Sequence, residues 1–224
     1  MMTDIALPLQ LLRLVSPSLP VGAFSYSRGL EWAVHAGSVR DEESAGSWIF
    51  GLIDQAYAQL DAPLFWRMML ALGRDDVAAF AAADRWLAAS RESRELQAED
   101  RRMAEALCRL LSDLGHRSDL LAPGALATYP AAFAVAAQWS QVAPRPALLG
   151  LMWSVVEGQV AAALRLVPLG QTAGQRLLMA APDRIAAAAA RAMVLGDDEI
   201  GNLAHGHAMA SAWHETQYSR LFQS

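Results

Sequence analysis

At 224 residues, with 54% hydrophobic and only 18% charged residues, the chain is long enough for one large domain and carries more apolar material than an ordinary monomer buries. A formal net charge of −5 without a dense basic stripe excludes a nucleic-acid backbone as partner. All 18 basic residues are arginine, which excludes a lysine Schiff base, a lysine general base and a phosphate-loop lysine together.

The single cysteine, Cys108, cannot form an internal disulfide and falls in the apolar pattern of a helix, as a buried thiol would. The opening MMTDIALPLQLLRLV has no basic region ahead of its apolar run, and no uninterrupted apolar stretch approaches the ~20 residues that span a bilayer. A cytoplasmic protein without a membrane partner is the expectation.

The apolar spacing is helical nearly throughout, and β-branched alternation between turns is missing, so an all-α fold of about eight to ten helices in one compact domain, residues 1–224, is predicted. A short helix covers Pro8 to Val15, and SPSLPVGAFS interrupts it. Helix resumes near Ser25 and stops at His35, before Ala36-Gly37. Asp41 is placed to cap a helix carrying Trp48, Ile49, Leu52, Ile53 and Tyr57 toward the core, and Asp61-Ala62-Pro63 reads as the cap and first turn of another. A further helix holds Phe80, Trp86 and Leu87. From Ser90 to Leu114 the pattern is strongly amphipathic: Leu96, Met103, Leu107, Leu110, Leu111 and Leu114 share one face. Arg91, Glu92, Arg94, Glu95, Glu99, Asp100, Arg101, Arg102 and Glu105 lie opposite as a solvated charged face.

Residues 115–129, with Pro123 and Gly124, read as a flexible connection between two helical halves. Pro130 opens one helix, and Pro144 and Pro146 open the next. The latter is apolar on most sides from Leu148 to Val167, so it is expected at the centre, with Glu157 and Gln159 in need of partners. The run Ala186–Ala190 continues helical.

No nucleophile elbow, phosphate loop or dinucleotide fingerprint appears, so no catalytic residue is assigned. Among the five histidines only His205, His207 and His214 approach a metal cluster. On a continuous helix the first two diverge by about 200°, which makes them weak ligand candidates beside a structural reading.

Three separated segments carry a resemblance: SPSLPVGAFSYSRGLEW (Ser16–Trp32), VPLGQTAGQRLL (Val167–Leu178) and HETQYSRLFQS (His214–Ser224). Together, in this order, they resemble the urease accessory protein UreF family, and the similarity runs nearly the full length. The resemblance implies an all-α, cytoplasmic homodimer that acts as a chaperone for nickel insertion into urease. It would bind the accessory protein UreD (also called UreH), recruit the nickel-carrying GTPase UreG and act on apo-urease, with no cofactor of its own. Leu19, Pro20, Val21, Gly22 and Phe24 lie where the family pattern implies dimer contact, beside the alternative of an internal helix connection. Pro168, Leu169, Gly170, Gln171, Gly174 and Gln175 match the second segment. There a proline ends a helix, a glycine permits a tight turn and the glutamines could bond backbone at a helix junction, for structure or for a partner. His214, Glu215, Tyr218, Arg220, Leu221 and Phe222 form an anchor-rich tail over 214–224, expected to dock on a partner, on its own domain or on both. Gln223 and the His205-Gly206-His207 stretch depart from the family pattern.

Three functions are consistent with these residues. One is a non-enzymatic scaffold joining UreD to UreG. Another is a GTPase-activating regulator that donates an arginine to UreG. The third is a direct nickel-binding module using His205, His207 and His214.

Overall fold

The structure, a computed structural model, describes residues 9–201 and 204–224. Its helical elements are α1 (Leu9–Leu14), α2 (Leu30–His35), α3 (Glu42–Gly51), α4 (Ala62–Leu72), α5 (Val77–Ala89), α6 (Arg94–Asp113), α7 (Tyr129–Trp139), α8 (Pro144–Leu166), α9 (Gln171–Ala192) and α10 (His205–His214). Among the described residues there is no strand, and the fold is all-α. Pro8, where the first helix was expected to start, lies outside the described residues.

α8 runs through the middle, lying along α9 and touching α1, α2, α3, α4 and α7. It is the one described helix long and apolar enough to cross a membrane, but more than half of its most apolar stretch is buried inside the fold, where Leu148, Leu151, Met152 and Val156 are shielded by its neighbours. α4 packs on α5 and α7, α6 packs on α7, and α10 closes against α2 and α6.

Asp41 caps α3 as expected: its carboxylate accepts from Ser44 N at 2.9 Å, and Ser44 Oγ in turn accepts the Asp41 amide. Asp61 does not start a helix. A π-helical stretch, Leu52–Asp61, joins α3 to α4 in one unbroken rod, with helical dihedrals at both junctions. Pro63 therefore sits inside the rod, where it has no N–H to give. The Gln59 carbonyl accepts from Gly201 N at 3.1 Å. Asp61 is buried and serves as an ion-pair partner.

Helix after the first bend begins at Leu30, later than Ser25, because Gly29 takes the left-handed conformation (φ 80°) and only a 3-10 turn, Ala23–Ser25, precedes it. A Cβ at Gly29 would stand 2.8 Å from the Ser211 amide nitrogen, so glycine here also lets α10 approach α2.

Helix α6 starts at Arg94, after the Ser93 cap, so Arg91 lies in the turn before it, and the charged face expected over Ser90 to Leu114 is only partly solvated. Arg91, Glu99 and Asp100 are buried, because opposite charges reach them from other elements and bury with them. The 115–128 connection is anchored as well. Asp84 accepts from Thr128 Oγ1 at 2.7 Å and from Ala127 N at 2.8 Å, while Leu121 and Leu126 enter the core.

Candidate functional site

The last ten residues and the bend between α1 and α2 meet on one side of the molecule. Beyond α10 the chain runs back over α2 and α6. Gln223 N donates to Ser25 O at 2.8 Å, and Ser27 N donates to Ser224 O at 2.7 Å, supported by Ser27 Oγ.

Glu31 organises this seat. Its Oε1 accepts Leu221 N at 2.6 Å and its Oε2 accepts Phe222 N at 2.8 Å, so one carboxylate satisfies two consecutive backbone amides. The fully buried imidazole of His214 lies between two carboxylates, with Nδ1 at 2.6 Å from Glu95 and Nε2 at 3.2 Å from Glu31. Glu95 also receives Arg220, and Arg102 donates to Gln223 Oε1 at 2.8 Å. Phe222 is buried beneath the Arg165 guanidinium, 4.5 Å from its ring centre, while Arg165 also donates to the Phe24 carbonyl at 3.2 Å.

Beneath this junction two buried arginines make three ion pairs that link α6, the rod and the bend. Arg91 binds Asp61 and Asp100, and Arg28 binds Glu99 at 2.7 Å while lying over the Tyr57 ring. Burial is the largest single influence on Arg28 and pulls its pKa down, but Glu99, Tyr57 and Asp100 together outweigh it and hold the guanidinium above its ordinary pKa. Burial pushes the Glu99 carboxyl up, against the opposing pull of Arg28 and of Ser224 Oγ, which donates to it at 2.7 Å.

The bend roofs a cavity of about 220 Å³, walled mainly by apolar groups such as Leu14, Leu19, Val21 and Met103 and reaching the Arg28–Glu99 pair. Gln159 reaches its wall and donates Nε2 to the Ser27 carbonyl at 3.1 Å, its Oε1 having no partner among the described residues. Glu157, at the same cavity, is pushed up in pKa by burial.

The expected site residues divide. Phe24 is 76% exposed, Tyr218 is fully exposed and Leu221 is half out, so the bend and tail present an aromatic and apolar surface between them. Pro20 is exposed too, whereas Val21 is buried and Leu19 and Gly22 are half-buried. In the tail His214 and Phe222 are interior, and Glu215 accepts the Arg94 amide at 2.7 Å to brace the start of α6. The tail is thus docked on its own domain.

The second segment lies at the α8–α9 junction. Pro168, Gly170, Gln171 and Gln175 are exposed and Leu169 is half-buried. Neither glutamine bonds the junction backbone, because both side chains face solvent, and Gly170 has an ordinary extended conformation (φ −77°). Gly174 is the constrained glycine: a Cβ there would meet the Leu164 side chain at 2.9 Å, so its role is close packing of α9 on α8.

The three candidate metal-ligating histidines are engaged apart. His207 packs at a tilt against Trp48, with ring centres 4.1 Å apart, and binds the Trp48 carbonyl through Nε2 at 3.0 Å, while burial lowers its pKa. His214 is clasped by Glu31 and Glu95, and His205 is exposed at the start of α10. Among the described residues no group of three or more His, Cys, Asp or Glu side chains could hold a metal ion.

Sequence reasoning missed Ser27, Glu31, Glu95 and Glu99 as the tail's seat. Two signals were present: Glu31 lies inside the first distinctive segment, and Glu95 and Glu99 are one helical turn apart.

Known proteins match this chain along most of its length. The sequence model of the UreF family matches residues 39–181. Urease accessory protein UreF 2 of Brucella anthropi is 62% identical over 221 residues, covering 98% of this chain and 97% of its own. The urease accessory proteins UreF of Dechloromonas aromatica and Alkalilimnicola ehrlichii are 45% and 44% identical, each across 96% of this chain and 96% and 95% of theirs. With a family model that spans more than half of the chain and relatives that align over nearly its full length, the chain belongs to the UreF family of urease accessory proteins.

Proposed function

We propose that this chain is a non-enzymatic scaffold for urease maturation, acting as a cytoplasmic homodimer. It binds UreD (UreH), and the pair recruits the GTPase UreG so that nickel passes into apo-urease. Nickel is cargo of the assembly, and the chain keeps no cofactor of its own.

One observation carries this reading: the surface built jointly by the bend and the tail, with Phe24, Tyr218 and Leu221 exposed on a rigidly bonded frame. Large exposed aromatic groups set on an ordered backbone are what interface anchors require, since little further ordering cost falls on binding. The bend residues Leu19, Pro20, Gly22 and Phe24 are proposed for self-association, with Val21 buried beneath them in the core. Tyr218, Arg220 and Leu221, together with the exposed Pro168, Gly170, Gln171 and Gln175, are proposed for partner contact.

Co-purification tests the proposal. The intact chain is expected to retain UreD and, through that pair, UreG and apo-urease; retention of neither accessory protein would defeat the reading.

A further inference from the structure

We infer that the cavity beneath the bend is a binding site for a small organic cation, an apolar body bearing one ammonium group, with Glu157 pairing with its charge and Gly158 forming the floor on which its body lies.

The cavity is set against the side of α8. Ser154, Gly158, Ala161 and Ala162 line it from that helix, since positions three and four apart share one face. Gly158 stands at the middle of this face, and a Cβ there would meet nothing within 4 Å. Small side chains thus leave a flat floor with free space above it. The volume of about 220 Å³ exceeds the ~150 Å³ that holds a benzene ring in an apolar protein cavity, so a ring with a short side chain fits.

The polar groups of the wall decide what that ring must carry. Glu157 and Gln159 flank Gly158 on opposite sides, each about 100° around the helix. Gln159 is 3% exposed; it donates Nε2 to the Ser27 carbonyl and leaves Oε1 without a donor among the described residues. Glu157 is half-buried and has neither a hydrogen bond nor an ion pair among the described residues. Burial pushes its carboxyl up, and no cation opposes that. Both unsatisfied groups are acceptors, so the missing partner is a donor. At a partly desolvated carboxylate the strongest donor is a cation.

The arginines of the cavity wall do not fill that role. Arg28 is bound to Glu99, and Arg165, two turns along α8 or about 12 Å away, is held by the Phe222 ring and the Phe24 carbonyl. An anionic ligand would therefore meet Glu157 while both neighbouring cations are engaged. Phe24, Tyr26 and Tyr129 add aromatic wall, and ring faces attract an ammonium group as well as a hydrocarbon body. An unpaired carboxylate beside aromatic walls is the combination that recognises an amine on an apolar frame.

Titration calorimetry of the full chain with 2-phenylethylammonium tests this against 2-phenylethanol, which has the same ring and no charge. The amine should bind the wild type about tenfold or more tightly than the alcohol, and Glu157→Gln should weaken the amine by about tenfold or more while leaving the alcohol unchanged. Gly158→Leu fills the floor and should abolish binding of both, with the helical circular dichroism unaltered. Should Gly158→Leu not fold, Gly158→Ala serves instead and should weaken both ligands several-fold. Failure of the wild type to bind the amine, or equal affinity for amine and alcohol, overturns the assignment. Undiminished amine affinity in Glu157→Gln, or in the folded Gly158 variant, overturns it as well, by placing the bound molecule elsewhere.

Discussion

Arg91 grips Asp61 with both terminal guanidinium nitrogens, at 2.6 and 3.0 Å, although the two residues are 30 positions apart and both are out of solvent. Its Nε goes to Asp100 at 2.6 Å, so one cation neutralises two buried carboxylates and ties the α5–α6 turn to the central rod. Removing that cation leaves both acids buried without it. Arg91→Met is expected to lower the unfolding free energy by about 3–5 kcal/mol in urea titrations. Replacing Asp61 and Asp100 with leucine in the same chain should recover much of the loss, since an apolar triad of similar volume removes the stranded charges.

The close approach of α10 to α2 depends on Gly29. Its φ of 80° and the 2.8 Å gap a Cβ would leave to Ser211 N penalise any side chain twice, once in the backbone and once in packing. Gly29→Ala should cost about 2–4 kcal/mol in thermal or urea unfolding. Gly174→Ala, which meets only the movable Leu164 side chain, should cost about 1–2 kcal/mol.

His207 predicts a pH dependence. Burial lowers its pKa from 6.5, so between the lowered value and 6.5 the unfolded chain binds a proton that the folded chain does not. Stability from this residue is therefore full above 6.5 and falls as pH drops, at a slope approaching about 1.4 kcal/mol per pH unit within that window. Asp84 works in the opposite sense: burial raises its pKa from 3.8, so its ionisation cost is relieved as pH falls toward that value. Unfolding curves from pH 7.5 to 5.0 for wild type and His207→Gln isolate the histidine, and the gap between them should change steadily below 6.5.

Asp84 also predicts a local effect. Asp84→Ala leaves Thr128 Oγ1 and Ala127 N without their acceptor, and should destabilise the chain by about 1–3 kcal/mol. The 115–128 connection should open with it, read as faster limited proteolysis near Pro123-Gly124 in the variant.

At the proposed interface, Phe24→Ala and Tyr218→Ala remove exposed rings whose absence leaves no cavity. Unfolding midpoints should stay close to wild type, while Phe24→Ala should weaken self-association and Tyr218→Ala should lower affinity for UreD, each by about tenfold or more. Unchanged affinity in both would move the interface elsewhere on the surface.

Much of this architecture is legible from local signals. Asp41 followed three residues later by Ser44, the prolines at 144 and 146, and the all-round apolar character of α8 each act within one or two helical turns, which is the range that periodicity and capping report. The misplaced residues are those whose partners are distant in sequence. Arg91, Glu99 and Asp100 fit a solvated stripe because helical spacing offers them neighbours three and four apart, whereas their ion-pair partners in the fold include Asp61 and Arg28, 30 and 71 positions away. Asp61 before Ala-Pro imitates a cap because the rod's π-helical passage leaves no mark in a 3.6-residue pattern. For the site, the bend and tail stand out by their aromatic and turn residues. Glu31 does not, since a glutamate early in a helix has an ordinary local explanation and its real partners, Leu221 and Phe222, come some 190 residues later.

Pro63 turns a familiar expectation around. In a free helix, exchanging an interior proline for alanine restores a donor and stabilises. In this protein the carbonyl one turn earlier, at Gln59, is already committed to Gly201, on the stretch that leads into α10. An amide at position 63 would compete with Gly201 for that oxygen. The rod would gain a bond while the segment carrying α10 lost its mooring, so a substitution that strengthens the central helix would loosen the element from which the tail departs.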